Sequence, residues 1–296
     1  MQLIMDYVKS INIGGELMSL STPKVMGIIN ITPDSFYSGS RTSEREEIAG
    51  RVRRHLTDGA DIFDIGGYST RPGCSDVAPD EEYSRLARAL EVIREVAPDG
   101  PVSVDTFRAE VARRCVEEWG VEIINDVGGG TLDPEMWDTV AGLDVAYILM
   151  HMRGTPATMG DFTDYNDVVA DVLSDLAFKV AALRQKRVRD VIVDPGFGFA
   201  KTVEQNYKLL AALDKFHLTG APVLAGLSRK SMIWRALDIK AEEALNGTTA
   251  LNTVALLNGA DILRVHDVKE AVEAVRLVEM LREAADEENV VSTVIR

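Results

Sequence analysis

Two pairs of residues have types and spacing suited to holding an anion. Arg264 and His266 lie two residues apart in an apolar run, so in a β-strand both side chains project to the same side. On a largely buried strand such groups are costly unless an anion or a carboxylate meets them. Thr70 and Arg71 lie in a glycine-rich loop, whose backbone N–H groups and guanidinium suit a phosphate.

Lys230 is a further candidate cation, in the run SRKS. Ser228 is a plausible helix N-cap, which predicts that Arg229 and Lys230 lie in the first turn of a helix. The helix dipole disfavours cations at that end, and a bound anion or an acidic partner would remove the conflict. The sequence therefore predicts a ligand or an acidic side chain near Lys230.

Three acceptor residues, Asp105, Asn125 and Asp194, each end an apolar run. A carboxylate accepts two parallel N–H bonds, and an amide both donates and accepts, so this set suits a flat heterocycle with an amino-amide edge. Each residue also has a structural interpretation. Asp105 fits a helix cap, Asn125 a turn, and Asp194 the junction between a strand and a turn.

The other side chains expected around such a ring are a donor and two apolar groups. Lys230 would donate to a ring carbonyl, and Met150 and Phe199 would pack against the ring faces. Packing in the hydrophobic core explains both apolar residues equally well. Taken together, these residues predict a ligand that is planar, carries an amine and is anionic at one end.

Eight short apolar runs alternate with amphipathic stretches, which is typical of repeated βα units around a parallel sheet. The predicted strands are 25–30, 61–65, 102–105, 123–126, 145–151, 191–194, 223–227 and 262–266. The clearest helices are 44–56, 81–96, 108–119, 168–186, 242–257 and 269–285. Eight units predict an α/β fold, a (β/α)8 TIM barrel, and an open doubly wound sheet is the alternative. The candidate site residues then meet at one mouth, because the chemistry of such barrels lies at the carboxyl ends of the strands.

One domain accounts for almost the whole chain. Segments 10–13 and 16–20, joined by Gly14 and Gly15, predict a β-hairpin that plugs the amino-terminal face of the barrel. We therefore expect a hairpin extension over 1–20, the barrel over 21–285 and an irregular tail over 286–296 that frays from Glu283.

Composition narrows the classes of partner. The 296 residues include 32 Lys and Arg against 47 Asp and Glu, a net charge of −15, and 46% are hydrophobic. This charge argues against nucleic acid or an acidic membrane as a partner. The two cysteines, Cys74 and Cys115, have no metal-ligand spacing and are expected to be reduced. Asp6 interrupts the segment where a signal peptide would be apolar, so we expect a cytoplasmic protein.

Several common catalytic motifs are missing from the sequence: GxxxxGK[ST], GxSxG, HExxH, and a GxGxxG after the first strand. Eight other blocks do fall at the predicted strand ends, and together they closely resemble the dihydropteroate synthase family. They are VMGIINITPDSF (25–36), DIGGYSTRPG (64–73), VSVDT (102–106), INDVGG (124–129), LMHMRGTPATM (149–159), DPGFGFAK (194–201), LSRKS (227–231) and RVHDV (264–268).

The resemblance implies a reaction and a role for each matching residue. The family condenses 6-hydroxymethyl-7,8-dihydropterin diphosphate with 4-aminobenzoate through a cation-like pterin methylene, giving 7,8-dihydropteroate and diphosphate. By matching position, the pterin is held by Asp105, Asn125, Asp194, Lys230 and Arg264. The diphosphate end takes Asn30, Thr70, Arg71 and His266, with Asn30 assisting Mg²⁺. The aminobenzoate pocket takes Phe36, Pro72, Phe199 and Ser231. The catalytic set is Asp105, Lys230, Arg264 and His266, and the family usually forms homodimers.

The sequence departs from the family pattern in two loops. Tyr68 stands where a Glu is usual, and residues 37–40 read YSGS where SDGG is common. These changes leave the pterin residues intact but bear on loop closure and on the response to sulfonamides. The alternatives are another pterin-binding barrel, such as a methyltetrahydrofolate:corrinoid methyltransferase, and a non-enzymatic pterin-binding protein. The SRKS and RVHD blocks disfavour the first, and the intact Asn30, Arg71 and His266 disfavour the second.

Overall fold

A computed structural model describes residues 10–31, 41–68 and 77–294. Within these residues the strands are β1 (Ser10–Ile13), β2 (Glu16–Ser19), β3 (Lys24–Asn30), β4 (Ile62–Gly66), β5 (Val102–Asp105), β6 (Ile123–Asp126), β7 (Ala146–Met150), β8 (Val191–Asp194), β9 (Leu224–Ala225) and β10 (Ile262–Val265). The α-helices are α1 (Arg41–Asp58), α2 (Pro79–Val96), α3 (Ala109–Trp119), α4 (Met136–Leu143), α5 (Val168–Gln185), α6 (Val203–Ala211), α7 (Ser231–Leu237), α8 (Leu245–Leu257) and α9 (Val268–Val294).

The larger sheet is a nearly closed barrel of eight strands. Its order is β8-β7-β6-β5-β4-β3-β10-β9, and all the pairings between these neighbours are parallel. A parallel bridge between Val193 and Val223 brings β8 against the chain that enters β9. The predicted (β/α)8 barrel is therefore confirmed, and the open doubly wound sheet is wrong.

Two apolar layers hold the barrel together. One lies between the strands and the surrounding helices, and includes the fully buried Val104, Leu86 and Leu90.

Helix boundaries follow local chemistry, since the Asp167 carboxylate caps α5, and Thr202 and Gln205 form a capping box on α6. Among the described residues, no helix is both long enough and apolar enough to cross a membrane.

The amino-terminal hairpin fills the bottom of the barrel. Strands β1 and β2 pair antiparallel, with Ile13 opposite Glu16 across the Gly14–Gly15 turn. Ile11 and Ile13 are buried against the first residues of the barrel strands, including Ile62. Because this second apolar layer closes the amino-terminal end, the site has to lie at the opposite mouth. The predicted hairpin plug is confirmed.

Several element ends differ from the expectation. Strand β9 spans only Leu224–Ala225 instead of 223–227, and a short 3₁₀ turn at Ala241–Glu243 delays the start of α8 to Leu245. Helix α9 runs to Val294, so residues 286–294 continue the helix where an irregular tail was expected. That stretch contains no Gly or Pro, and its Ala and Glu residues are good helix formers.

Candidate active site

A row of residues crosses four neighbouring strands at the carboxyl-terminal mouth. Asn30, Gly66, Asp105 and Asn125 are register partners along β3, β4, β5 and β6. Asp64 faces the same side as Gly66, one step deeper in the barrel, because alternate residues of a strand share a face. The register therefore brings three predicted site residues, from separate parts of the sequence, into one row.

Arg264 joins this row from β10, the strand that pairs with β3 at the end of the row. Its Nε donates to Asp64 Oδ2 at 2.6 Å, and its Nη2 donates to Asp105 Oδ2 at 2.6 Å. Of the two partners expected for Arg264, an anion or a carboxylate, the structure shows carboxylates. His266 lies just beyond β10, with its Nδ1 3.0 Å from Ser228 Oγ, and the His266 backbone N–H donates to the same hydroxyl at 3.2 Å.

Burial changes the acid–base properties of this cluster. It raises the pKa of the Asp105 carboxyl to about 7 against the lowering effect of the Arg264 charge, and the nearby carboxylates of Asp64, Glu82 and Asp126 raise it further. Burial alone would lower the pKa of Arg264, but the charges of Asp64 and Asp105 raise it above its usual value. The guanidinium therefore stays ionised, while Asp105 is poised to change charge near neutral pH.

Asp194 and Lys230 form a second polar pair at the same mouth. Asp194 Oδ1 accepts from the Gly196 N–H at 2.7 Å. A Cβ at Gly226 would lie 3.6 Å from Lys230 Nζ and 3.8 Å from Asp194 Oδ2, so the ammonium and the carboxylate converge on this glycine. Burial lowers the pKa of Lys230 to about 8, and the Asp194 charge opposes that effect. Burial likewise raises the pKa of Asp194, and the charge of Lys230 lowers it.

The predicted helical turn around Lys230 is wrong. Helix α7 begins at Ser231, and Lys230 is the extended residue before it, with φ −75° and ψ 157°. Arg229 has φ +55° and forms a two-pronged ion pair with Asp267, with N–O distances of 2.8 and 2.9 Å. Ser228 bonds to His266 instead of capping the helix. The site geometry therefore rests on a strained turn rather than on a helix dipole.

That turn directs the Lys230 side chain across the mouth. Its ammonium donates to the Phe197 carbonyl and lies 4.9 Å from the centre of the Phe199 ring. An apolar wall continues from this ring. The wall consists of buried Val127, Met150 and Met152, with Phe107, Leu132, Met159 and Phe199 packed against them. Both Met150 and Phe199 therefore belong to a single hydrophobic surface beside the polar cluster.

The remaining predicted site residues fall into two groups. Asn30 ends β3 and Ser231 opens α7, so both lie at the mouth. Phe36, Thr70, Arg71 and Pro72 lie outside the described residues, as does Cys74. Cys115 is buried on α3 as a free thiol.

Comparison with known proteins decides the family. The family model for pterin binding enzymes matches residues 26–266, which contain every barrel strand except the first two residues of β3. The chain belongs to the pterin-binding enzyme family. It is 40% identical to the dihydropteroate synthase of Escherichia coli (strain K12) over 267 residues, covering 90% of this chain and 94% of that protein.

Solved structures agree with the assignment of this chain to the pterin-binding enzyme family. The dihydropteroate synthase of Xanthomonas albilineans with 4-aminobenzoic acid has a TM-score of 0.83 and 38% identity, covering 93% of this chain and 98% of that one. A second structure of the X. albilineans enzyme, in complex with 7,8-dihydropteroate, has a TM-score of 0.81 and 36% identity, with 92% and 98% covered. The expected resemblance to dihydropteroate synthase is confirmed.

The pterin-binding enzyme also contains a half-buried charged residue, Lys201, that sequence reasoning missed. Lys201 Nζ donates to the carbonyls of Gly196 and Phe199, both at 2.9 Å, and lies 3.1 Å from His151 Nδ1. This one ammonium ties the loop after β8 to the end of β7. The available signal was a lysine that closely follows two glycines in DPGFGFAK, since a loop with strained turns needs internal partners.

The unusual Tyr68 also has a defined environment. Its ring packs edge-on against Phe107, with ring centres 5.2 Å apart, and the Arg108 guanidinium lies over both rings at 5.2 and 5.1 Å. Arg108 pairs in turn with Glu82, whose carboxylate is fully buried and accepts from Thr106 Oγ1 at 2.7 Å. Tyr68 is therefore anchored by stacking at the start of the loop that carries Thr70 and Arg71.

Proposed function

We propose that this enzyme joins 6-hydroxymethyl-7,8-dihydropterin diphosphate to 4-aminobenzoate at the carboxyl-terminal mouth, giving 7,8-dihydropteroate and diphosphate. The observation that carries the proposal is the convergence of two polar pairs, Arg264 with Asp105 and Lys230 with Asp194, beside one apolar wall. Both pairs lie at the end of the barrel where enzymes of this fold perform chemistry.

The polar residues of the mouth match the edge of a pterin. Carboxylates at Asp105 and Asp194 would accept from the ring amino and N–H groups, and the Asn125 amide would both donate and accept. Lys230 would donate to the ring carbonyl. A flat ring in this place would lie between the Arg264 guanidinium and the apolar wall, because guanidinium planes stack well on aromatic faces.

The diphosphate would lie toward the ends of β3 and β10. His266 and Asn30 are placed there, and Thr70 and Arg71 belong to the loop that follows β4. A Cβ at Gly66 would stand 3.9 Å from Asn30 Oδ1, so this amide oxygen faces the row of the site. The described residues contain no cluster of three or more His, Cys, Asp or Glu suited to a metal. One amide oxygen together with substrate phosphates fits Mg²⁺, which usually keeps several waters and few protein ligands.

Loss of the diphosphate is the step that the site has to assist. Mg²⁺, when bound, supplies charge neutralisation at the leaving group. Arg264 and His266 would donate hydrogen bonds to the same group as negative charge develops on it. The pterin methylene then becomes cation-like, and the fixed carboxylates of Asp105 and Asp194 stabilise it. The aniline nitrogen of 4-aminobenzoate attacks this carbon and loses its proton afterwards, so it needs positioning more than a general base.

The aminobenzoate pocket is assigned to Phe36, Pro72, Phe199 and Ser231. The Phe199 ring lies over the Lys230 ammonium at the edge of the pterin position. Ser231 follows Lys230 directly, so its backbone N–H and hydroxyl lie at the start of α7, where they could donate to an anionic carboxylate. These two residues support an aminobenzoate position beside Lys230.

We also infer a homodimer formed through helices α8 and α9. Leu257 on α8 is 53% exposed, while Leu277 and Leu281 on α9 are 68% and 58% exposed. Helices α8 and α9 pack side by side, and we place these exposed apolar side chains in one interface between two copies of the chain. A Leu277→Glu and Leu281→Glu double variant should change the mass in light scattering from a dimer to a monomer. A monomeric parent chain would contradict the inference.

The cytoplasmic location stays a prediction.

The activity itself has a direct test. Pterin diphosphate, 4-aminobenzoate and Mg²⁺ are mixed with the protein, and dihydropteroate and released diphosphate are quantified. An Asp105→Asn variant should lose at least about 10-fold in kcat/KM, since a hydrogen bond to a charged group contributes roughly 1.5–3 kcal/mol. Product formation at the background rate by the folded parent protein would overturn the proposal.

A further inference from the structure

Asp64 is a carboxylate at the centre of the barrel that none of the proposed substrate contacts uses. It lies on β4, between Phe63 and Ile65, and is 0% exposed. Its oxygens accept hydrogen bonds from three other strands. Ser103 Oγ on β5 donates at 2.7 Å, Asn125 Nδ2 on β6 lies 3.3 and 3.4 Å from the two oxygens, and Arg264 Nε on β10 donates at 2.6 Å.

Two of these partners are residues assigned to the pterin. Asn125 is 3% exposed and the Arg264 side chain is 19% exposed, so protein contacts rather than solvent orient both side chains. An amide that donates its N–H groups to a carboxylate has its oxygen directed the other way. A guanidinium held at Nε has its plane fixed, because all its nitrogens share that plane. One carboxylate thus sets the orientation of both side chains.

Asp105 also pairs with Arg264, but it lies in a different position. Its side chain is 16% exposed and belongs to the row at the mouth, whereas Asp64 is one step deeper. When Asp105 accepts a substrate N–H, its oxygen is shared between the substrate and Arg264 Nη2. The Nε–Asp64 bond lies below the ligand and is not part of this competition. Arg264 therefore keeps one charged partner throughout substrate binding.

We propose that Asp64 is a positioning residue for this reaction, which holds the guanidinium plane of Arg264 and the amide of Asn125 in the orientation that the pterin needs. The inference rests on the proposed function, because it concerns the pterin contacts assigned above. A carboxylate that only filled the core would be served equally well by an apolar residue of similar volume, since buried ion pairs contribute little net stability. Its bonds to two ligand-facing side chains give it a role in recognition.

The test is an Asp64→Asn variant, which keeps the shape and removes the charge. Its amide cannot accept from Asn125, Ser103 and Arg264 together without turning a donor toward one of them. We expect the Kd for pterin diphosphate, measured by isothermal titration calorimetry, to rise about 10- to 100-fold. The KM for 4-aminobenzoate at saturating pterin should stay within about twofold, because that pocket lies beside Lys230. A higher Kd for pterin diphosphate with an unchanged KM for 4-aminobenzoate distinguishes a positioning role of Asp64 from a general loss of folded protein.

The matched control is Ser103→Ala. Ser103 is equally buried and bonds to the same carboxylate, but from the side away from Arg264. We expect it to lower the melting temperature and to leave the pterin Kd within about twofold. If both variants lower the melting temperature and neither changes the pterin Kd, Asp64 is structural and the proposal is wrong.

A double-mutant cycle keeps the inference testable if Asp64→Asn folds poorly. Adding Arg264→Gln removes the cation together with its deep partner. Asp105 loses its counterion in both proteins that carry Arg264→Gln, so this cost cancels when the two are compared. If Asp64 acts through Arg264, Asp64→Asn should weaken pterin binding by less than about twofold in the Arg264→Gln background. A full, additive loss in that background would contradict the proposal. A parent protein that binds no pterin would instead overturn the proposed function.

Discussion

At the scale of single residues, the cations that the site needs already have partners. Arg264 lies between Asp64 and Asp105, and Lys230 lies near Asp194. A buried cation without a counterion costs several kcal/mol, so these carboxylates are what allows the cations to be present before a ligand arrives. Because the cations and carboxylates are already paired, each side chain can exchange one protein partner for a substrate atom when the ligand binds.

Lys230 gives the first prediction. Burial lowers its pKa to about 8, and the protonated amine is the form that donates to a ring carbonyl. Pterin affinity should therefore fall as the pH rises through about 8, and this alkaline limb should be absent from a Lys230→Met variant, which binds at least about 10-fold more weakly at pH 7. Calorimetric titration from pH 6 to 9.5 measures both effects.

Lys208 provides the control for that variant, because it is an exposed lysine on α6. Lys208→Met should bind like the parent protein at every pH. Retention of the same alkaline limb in Lys230→Met would assign it to Lys201, whose pKa burial lowers to about 7, and would refute the role given to Lys230.

His151 gives a prediction about stability. Burial lowers its pKa to about 2, with the charges of Lys201, Lys179 and Arg153 acting in the same direction. The unfolded chain takes up a proton near pH 6.5 and the folded chain does not, so this contribution to stability is present above pH 6.5 and is lost as the pH falls. The loss is about 1.4 kcal/mol per pH unit below 6.5.

Urea titrations at pH 7.5, 6 and 5 test whether stability falls with pH in this direction. The free energy of unfolding should fall less steeply with pH in a His151→Gln variant, whose amide oxygen still accepts from Lys201. Parallel curves for the two proteins would show that His151 titrates alike in the folded and unfolded chain. His55, whose pKa burial also lowers, contributes in the same direction in both proteins and does not affect the comparison.

At the scale of elements, the carboxyl ends of the predicted strands were sufficient to predict which residues meet at one mouth. Strand β5 has the pattern Val-Ser-Val-Asp, so Ser103 and Asp105 face the barrel interior while Val102 and Val104 face the helices. Strand register then follows from the repeated βα topology. This is why the sequence alone assigns Asp105, Asn125, Asp194 and Arg264 to one mouth.

The turns between elements were harder to predict, because their backbone depends on partners distant in sequence. Arg229 adopts φ +55°, a conformation that its own residue type disfavours, and a carboxylate 38 positions away holds its side chain. Asp64 was missed for a similar reason. A lone Asp within the strand IFDIG has no local partner, and its role appears only when β5, β6 and β10 are placed around it.

The loop after β8 gives the prediction at this scale. Gly196 has φ +73°, and a Cβ there would lie 2.0 Å from the His151 carbonyl oxygen. Gly196→Ala therefore has to displace backbone, which should weaken pterin binding by at least about 10-fold and lower the free energy of unfolding by about 1–3 kcal/mol. Gly142→Ala, in helix α4 with open space around it, should instead stabilise by roughly 0.5–1 kcal/mol with unchanged binding. Equal effects of the two substitutions would contradict the inference that the backbone at Gly196 leaves no room for a side chain.

At the scale of the whole molecule, the net charge of −15 has to be reconciled with an anionic substrate. Within the described part of the mouth, three carboxylates lie among three cations, so their formal charges cancel. They are Asp64, Asp105 and Asp194 with Lys201, Lys230 and Arg264. The excess positive charge that holds a diphosphate must therefore come from elsewhere, and in the proposed site its sources are Arg71 and Mg²⁺.

This balance predicts that the metal matters for the diphosphate and not for the pterin ring. Removing Mg²⁺ with EDTA should weaken binding of the pterin diphosphate by at least about 10-fold, since the acidic surface repels a free polyanion. Binding of 6-hydroxymethylpterin, which lacks the phosphates, should change by less than about twofold, because its contacts are made by residues that are already paired. Calorimetry of both ligands with and without Mg²⁺ measures the difference. Equal affinities for the diphosphate in the two conditions would mean that protein cations alone neutralise it, and the charge balance described for the mouth would be wrong.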